Sequence, residues 1–234
     1  MSFRTKLKKN QEKTATEIKK SKVTAGYELC QSFNRKSAVN NDTKMIIVGT
    51  LTPPDGRKNG YFYSAPKNRV YNLLDNYFEN QDRRCNLSDL KKELISKETS
   101  GKTSIVNQII NELQNHNIAF LDVIDFAIAS KNSSKDDDIL DFNLDYNTFQ
   151  NVLSTSSDLK FVCTSQNAAM GLICILEKIG AHIINPQVYP ISVKYNNKDF
   201  VIDLAPQMIR NSKYNESKIK NRQNHWNNIL KQYI

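Results

Sequence analysis

The stretch MIIVGT, residues 45–50, contains no polar side chain before its Gly-Thr end, and NRVYNLLDNYF (68–78) then spaces Val70, Leu73, Leu74, Tyr77 and Phe78 along one helical face. An unalternating apolar run is buried on both faces, as strands of a parallel sheet are, and parallel strands need crossover helices to join them. The pattern recurs. TSIVNQIINELQNHN (103–117) predicts a helix leading into the strand IAFLDVI (118–124), a short helix is expected at 145–154, and the strand LKFVCTS (159–165) leads into a helix over 167–180 stopped at Gly180. Residues 188–206 read as a hairpin turning at Asn196–Asn197, and residues 215–234 as a basic helix. The expected fold is α/β: a three-layer α/β/α sandwich on a mainly parallel central sheet. In such sheets ligands gather beyond the carboxyl ends of the strands, where the loops starting at Thr50, Asp122, Thr164 and Leu204 meet.

The charge balance names a class of partner. The 234 residues carry 33 Lys and Arg against 24 Asp and Glu, a net charge of +9, so a polyanion is expected and nucleic acid is the first candidate. Residues 1–43 read as a basic, partly helical N-terminal arm and 44–234 as the main domain. The N-terminal sequence lacks a secretory apolar segment and no run reaches the roughly 20 apolar residues of a membrane span, so a cytoplasmic monomer is expected. Cys30, Cys85, Cys163 and Cys174 form no C-x-x-C pair and only His116, His182 and His225 join them, which argues against zinc, an iron–sulfur cluster, a disulfide framework or any cofactor. No dinucleotide fingerprint or phosphate-binding P-loop occurs; TSGKTS (99–104) lacks the upstream glycine and preceding strand that a P-loop needs.

The ordered set IIVGTLTPP, NGYFYSAPKNRVYNLL, IAFLDVI with NSSKDDDI, FVCTS and LAP resembles the motifs of the uracil-DNA glycosylase superfamily, nearest in pattern to its mismatch-specific and deoxyinosine-type branch. The similarity spans about residues 45–232, and the Gly-Tyr-Phe-Tyr-x-x-Pro-x-Asn-Arg block carries most of it. It implies an enzyme that flips an altered base from DNA and hydrolyses its N-glycosidic bond.

Under that resemblance Asn68 takes the catalytic position and orients water; from the residues alone it serves equally as the cap of a helix starting at Arg69. Thr50, Thr52 and Asp55 lie in the loop that other branches use to activate water; Thr52 replaces the usual Asn or Asp before the first proline, and Asp55 is the candidate substitute, or else a turn residue of an Asp-Gly pair. Asp122 either activates water or bonds the loop backbone. Tyr61, Phe62 and Tyr63 offer faces for base stacking, and Thr164 and Ser165 offer donors and acceptors to the base edge, with helix capping the other reading of Ser165. Ser133 and Ser134 contact a phosphate or cap their loop. The last motif, DLAPQMIRNSK, has no histidine, leaving Gln207 or a backbone N–H to stabilise an anionic base. Met208 and Ile209 are wedge candidates or core residues, and Arg69, Arg210 and Lys213 are phosphate contacts.

No lysine stands in an apolar site that would lower its pKa, so a monofunctional enzyme leaving an abasic site is expected. Ala65, where the branch often has His, and the small Ala205–Pro206 segment allow bases from uracil or hypoxanthine to a hypermodified phage pyrimidine such as glucosylated hydroxymethylcytosine, in repair or in anti-phage defence. The competing reading is a catalytically silent DNA-binding module on the same fold.

Overall fold

The computed structural model describes residues 2–155, 158–206 and 216–234. Its central sheet is built on β2 (Met45–Gly49), in which Met45 to Val48 are wholly buried, as the unalternating run requires. β3 (Ile118–Asp122) lies parallel on one side of it and β6 (Lys160–Cys163) on the other, followed by β9 (Lys198–Leu204), also parallel. β8 (Ile191–Tyr195) and β7 (His182–Ile184) complete the order β3-β2-β6-β9-β8-β7 in antiparallel sense. The β8–β9 turn falls at Asn196 and Asn197, whose φ of 49° and 61° are the left-handed pair that a two-residue hairpin needs. Register sets the carboxyl ends level: Gly49 faces Asp122, Val48 faces Cys163, and Cys163 faces Leu204.

Two helical layers enclose this sheet. α4 (Val70–Glu79), α5 (Leu87–Ser96), α6 (Thr99–Asn115) and α9 (Glu216–Tyr233) pack together, as do α1 (Phe3–Asn10), α7 (Tyr146–Thr155) and α8 (Gln166–Lys178). α8 lies close to the chain leaving β3: a Cβ on Gly171 would come within 2.6 Å of Val123. The fold is thus the three-layer α/β sandwich with a mainly parallel sheet.

A second sheet was not anticipated. β1 (Tyr27–Gln31), β4 (Ile124–Ser130) and β5 (Ile139–Leu144) form an antiparallel sheet in the order β1-β4-β5. The apolar run expected as one strand to residue 124 is two: β3 ends at Asp122, the N–H groups of Val123 and Ile124 bond to the carbonyls of Gly49 and Thr50, and β4 departs into the other sheet.

Residues 1–43, expected as an arm, include α1, α2 (Ala15–Lys20) and β1 among the packed elements. Phe3 and Leu7 are buried, Phe3 stacks on Phe142 with ring centroids 5.3 Å apart, and buried Lys6 donates to the carbonyls of Asp137 and Ile139. Ile18 packs on Phe126 and Ile128 of β4.

Candidate active site

Beyond the level carboxyl ends of β2, β3 and β6 opens a cavity of about 340 Å³. Of the residues singled out in the sequence it brings together Thr52, Phe62, Tyr63, Asn68, Asp122, Ser134, Thr164 and Ser165. Asp55, Tyr61, Arg69 and Ser133 do not line it. Gln207, Met208, Ile209, Arg210 and Lys213 lie outside the described residues.

The loop after β2 is clamped from below. The Thr52 N–H and hydroxyl both donate to Asp122 Oδ2 at 2.7 Å. Asp122 is 2% exposed, and its burial raises its pKa to about 6 against the opposing pull of the two Thr52 bonds. Thr52 therefore spends its hydroxyl on a carboxylate and is no base. From the other side, Arg57 of α3 (Pro54–Asn59) donates to the Thr52 carbonyl at 2.9 Å, the Ser130 carbonyl at 2.9 Å and Glu28 at 2.9 and 3.1 Å. Asp55, in the first turn of the same helix, points to solvent and is exposed, which removes it as the replacement base. Its Asp-Gly pair begins a helix instead of a turn.

The three consecutive aromatics divide their work. Tyr61 and Phe62 are 0% and 1% exposed, packed edge to face with ring centroids 5.2 Å apart, so Tyr61 is core and offers no face to a ligand. Phe62 forms part of the cavity wall from its buried position. Tyr63, with φ 50°, turns its ring onto Phe120 at 4.9 Å and its hydroxyl toward Gly49, where it makes no hydrogen bond of good geometry. Burial first, and the Asp122 charge second, hold this phenol well above its ordinary pKa, so it stays protonated and able to donate.

Asn68 lines the cavity just before α4, its Oδ1 accepting from the Val70 N–H at 2.9 Å. The capping role read from sequence and the cavity position thus hold together, although the helix starts at Val70, one residue later than expected. The bond leaves the Asn68 amide N–H groups without a partner among the described residues. Lys91 of α5 fixes the turn from behind, donating to the carbonyls of Asn68 and Pro66. It is 5% exposed, and burial lowers its pKa to about 8. This corrects the expectation that no lysine sits in such surroundings; α5 itself, which supplies the burial, was not assigned from the sequence. Lys91 does not line the cavity.

Sequence reasoning missed one carboxylate that does. Asp136, in the loop after β4, accepts at Oδ2 from Thr50 Oγ1 at 3.0 Å and from Asn167 Nδ2 at 2.7 Å. Burial raises its pKa despite both bonds. A run of three aspartates reads as a solvated loop, and only the fold singles out the first. Beside it Thr50 and Ser165 hydroxyls are 3.3 Å apart, Ser165 also caps α8 by accepting from the Ala168 N–H at 3.0 Å, and Thr164 donates to the Val48 carbonyl at 3.1 Å. Ser133 donates to Asp138 and closes its own loop, whereas exposed Ser134 and Lys135 reach the cavity rim.

No known protein-family profile matches the chain, and no curated protein matches it. Among solved structures, the solution NMR structure of a "putative Uracil DNA glycosylase" from Methanosarcina acetivorans is similar, with a TM-score of 0.51 at 16% identity, covering 84% of this chain and 94% of that one. The fold is uracil-DNA-glycosylase-like. At that identity the likeness speaks for the fold alone, and the cavity residues must argue for themselves. Among the described residues no helix is long and apolar enough to cross a membrane.

Proposed function

We propose that the protein is a monofunctional DNA glycosylase, acting as a monomer, that takes an altered base out of the duplex and hydrolyses its N-glycosidic bond. The observation that carries this is the cavity itself, where a carboxylate of raised basicity (Asp136), an amide donor (Asn68) and an aromatic wall (Phe62, Tyr63) face one volume of about 340 Å³ at the strand ends. That volume lies at the small end of ligand sites.

When the C1′–N bond breaks, its electron pair leaves with the base and the sugar becomes oxocarbenium-like. In this reading the free Asn68 amide N–H groups donate to the departing base, and Asp136 takes the proton of the water that attacks C1′. Asp122 serves by holding the loop through Thr52. Ser165 and Thr50 supply polar contacts at the base edge. Arg69, Ser134 and Lys135 lie nearer solvent and suit phosphates, in keeping with the net charge of +9. Hydrolysis without a covalent amine intermediate fits Lys91 lying behind the turn with its ammonium on two carbonyls, and Lys135 lying exposed at the rim. The substrate class is a deaminated base such as uracil or hypoxanthine, or a hypermodified phage pyrimidine.

The test is alkali-dependent cleavage of end-labelled duplexes carrying uracil, hypoxanthine, thymine opposite guanine, or glucosylated hydroxymethylcytosine, with borohydride trapping in parallel. Cleavage of one substrate with no trapped adduct, reduced by about 10²-fold or more in Asp136→Asn, is expected. Salt-sensitive DNA binding without any abasic product would favour the silent module instead.

A further inference from the structure

Three metal-ligating side chains meet away from the cavity. Cys85 lies in the connection between α4 and α5, while Glu112 and His116 are one turn apart at the end of α6, and their ligand atoms all lie within 4.8 Å of one another. Cys85 and His116 are each 5% exposed. His116 Nε2 stands 3.5 Å from Glu112 Oε1, longer than a well-made hydrogen bond, and its buried Nδ1 makes no hydrogen bond of good geometry, the Arg84 backbone being the ring's other polar neighbour. Asn86 gives its N–H to Glu112 at 3.3 Å, and its own Oδ1 is likewise buried and unpartnered. Among the described residues five buried side-chain polar atoms lack a partner, and two of the five lie on His116 and on Asn86, the residue next to Cys85. Buried polar groups are ordinarily satisfied, so the concentration calls for a missing partner.

We propose that Cys85, Glu112 and His116 form a structural site for a zinc-class divalent cation that ties the α4–α5 connection to the end of α6. A thiolate, an imidazole and a carboxylate together select a borderline-soft ion over magnesium or calcium. Metal–ligand bonds of about 2.0–2.3 Å put tetrahedral ligand atoms about 3.3–3.8 Å apart, so closing the site asks for a movement of about 1 Å. The His116 ring is already fixed, stacked on Phe78 with centroids 3.8 Å apart. On binding, the Cys85 S–H bond is replaced by a sulfur–metal bond and the proton goes to solvent. The fourth position falls to water. No C-x-x-C spacing announces such a site; the fold alone assembles it, against the expectation from sequence.

The experiment uses the full chain, stripped with a chelator and titrated with zinc alone while bound metal, released protons and Tm are followed. Expected are a single zinc per chain, a Tm raised by several degrees, and a thiolate-to-metal charge-transfer band when cobalt(II) replaces zinc. Cys85→Ser should abolish the band and, like His116→Gln, weaken zinc binding more than about tenfold, while Cys174→Ser changes neither. Should Cys85→Ser fail to fold, Glu112→Gln at its half-buried position makes the same test. Absence of bound zinc, or binding that these variants leave unchanged, overturns the proposal.

Discussion

Thr52 donates twice, through its N–H and its hydroxyl, to a single oxygen of Asp122, both at 2.7 Å. This pair joins the loop after β2 to the end of β3 and so sets the floor of the cavity. The carboxylate is nevertheless held at a pKa of about 6, because two good hydrogen bonds do not make up for complete removal from water.

Stability should therefore fall as pH rises through that value. The folded chain binds the Asp122 proton more tightly than the unfolded chain, whose carboxyl titrates near 3.8, so the benefit is complete below about 4 and lost by about pH 7. The difference amounts to at most about 3 kcal/mol. Asp122→Asn keeps an oxygen for the Thr52 donors and removes the charge. Urea unfolding at intervals from pH 4 to 7 should show the slope in the wild type and a flatter line in the variant; equal slopes would mean that Asp122 titrates normally.

Gly49 allows the pair to exist. A Cβ there would run into Asp122 Oδ1 and come within 3.2 Å of the Tyr63 hydroxyl. Gly49→Ala should cost about 1–3 kcal/mol in denaturant unfolding. The loss should shrink markedly in the double variant with Asp122→Ala, where the obstructing oxygen is gone; unchanged loss would place the strain elsewhere.

For Asn68 the two roles separate by measurement. Removing the bond to Val70 in Asn68→Ala should lower stability by about 1 kcal/mol, while excision falls about 10²-fold or more and DNA affinity holds. Full activity at reduced stability would leave Asn68 a helix cap and nothing else.

Lys91 carries the opposite sign of pH dependence. Its folded pKa, about 8, lies below the 10.5 of an exposed lysine, so between those values the unfolded chain holds more protons and stability rises with pH. Since buried phenols act the other way at the alkaline end, the quantity to follow is the wild type minus Lys91→Met. A difference independent of pH from 7.5 to 10 would contradict the assignment.

How far the sequence reached depends on how local the signal was. β2, β6 and β9, the helices α4, α6 and α8, and the Asn196–Asn197 turn were legible because an apolar run, a 3.6-residue period or a left-handed Asn pair is written in contiguous residues. From the strands alone it followed that Thr50, Asp122 and Thr164 would stand at one edge, since parallel strands in register bring their carboxyl ends level. The split between β3 and β4 was not legible, because no Gly, Pro or polar turn marks the change of sheet in IAFLDVIDFAIAS, where single aspartates at 122 and 125 sit in an otherwise apolar run.

Which polar and aromatic side chains serve the cavity was decided only in three dimensions. Tyr61, Phe62 and Tyr63 are alike as letters, yet Tyr61 turns into the core while Tyr63 turns to the cavity at a positive φ. Asp136, Asp137 and Asp138 are identical in sequence, and only Asp136 meets Thr50 and Asn167 from other elements. Arg57 acquires its role from Glu28, and Cys85 its neighbours from α6, across 29 and 27 or more residues of chain respectively. The sequence by itself determined the strands, the helices and the edge at which a site would form, since those follow from local pattern. The tertiary structure decided which side chains reach that edge, since burial, charge pairing and ligand geometry arise only where distant segments touch.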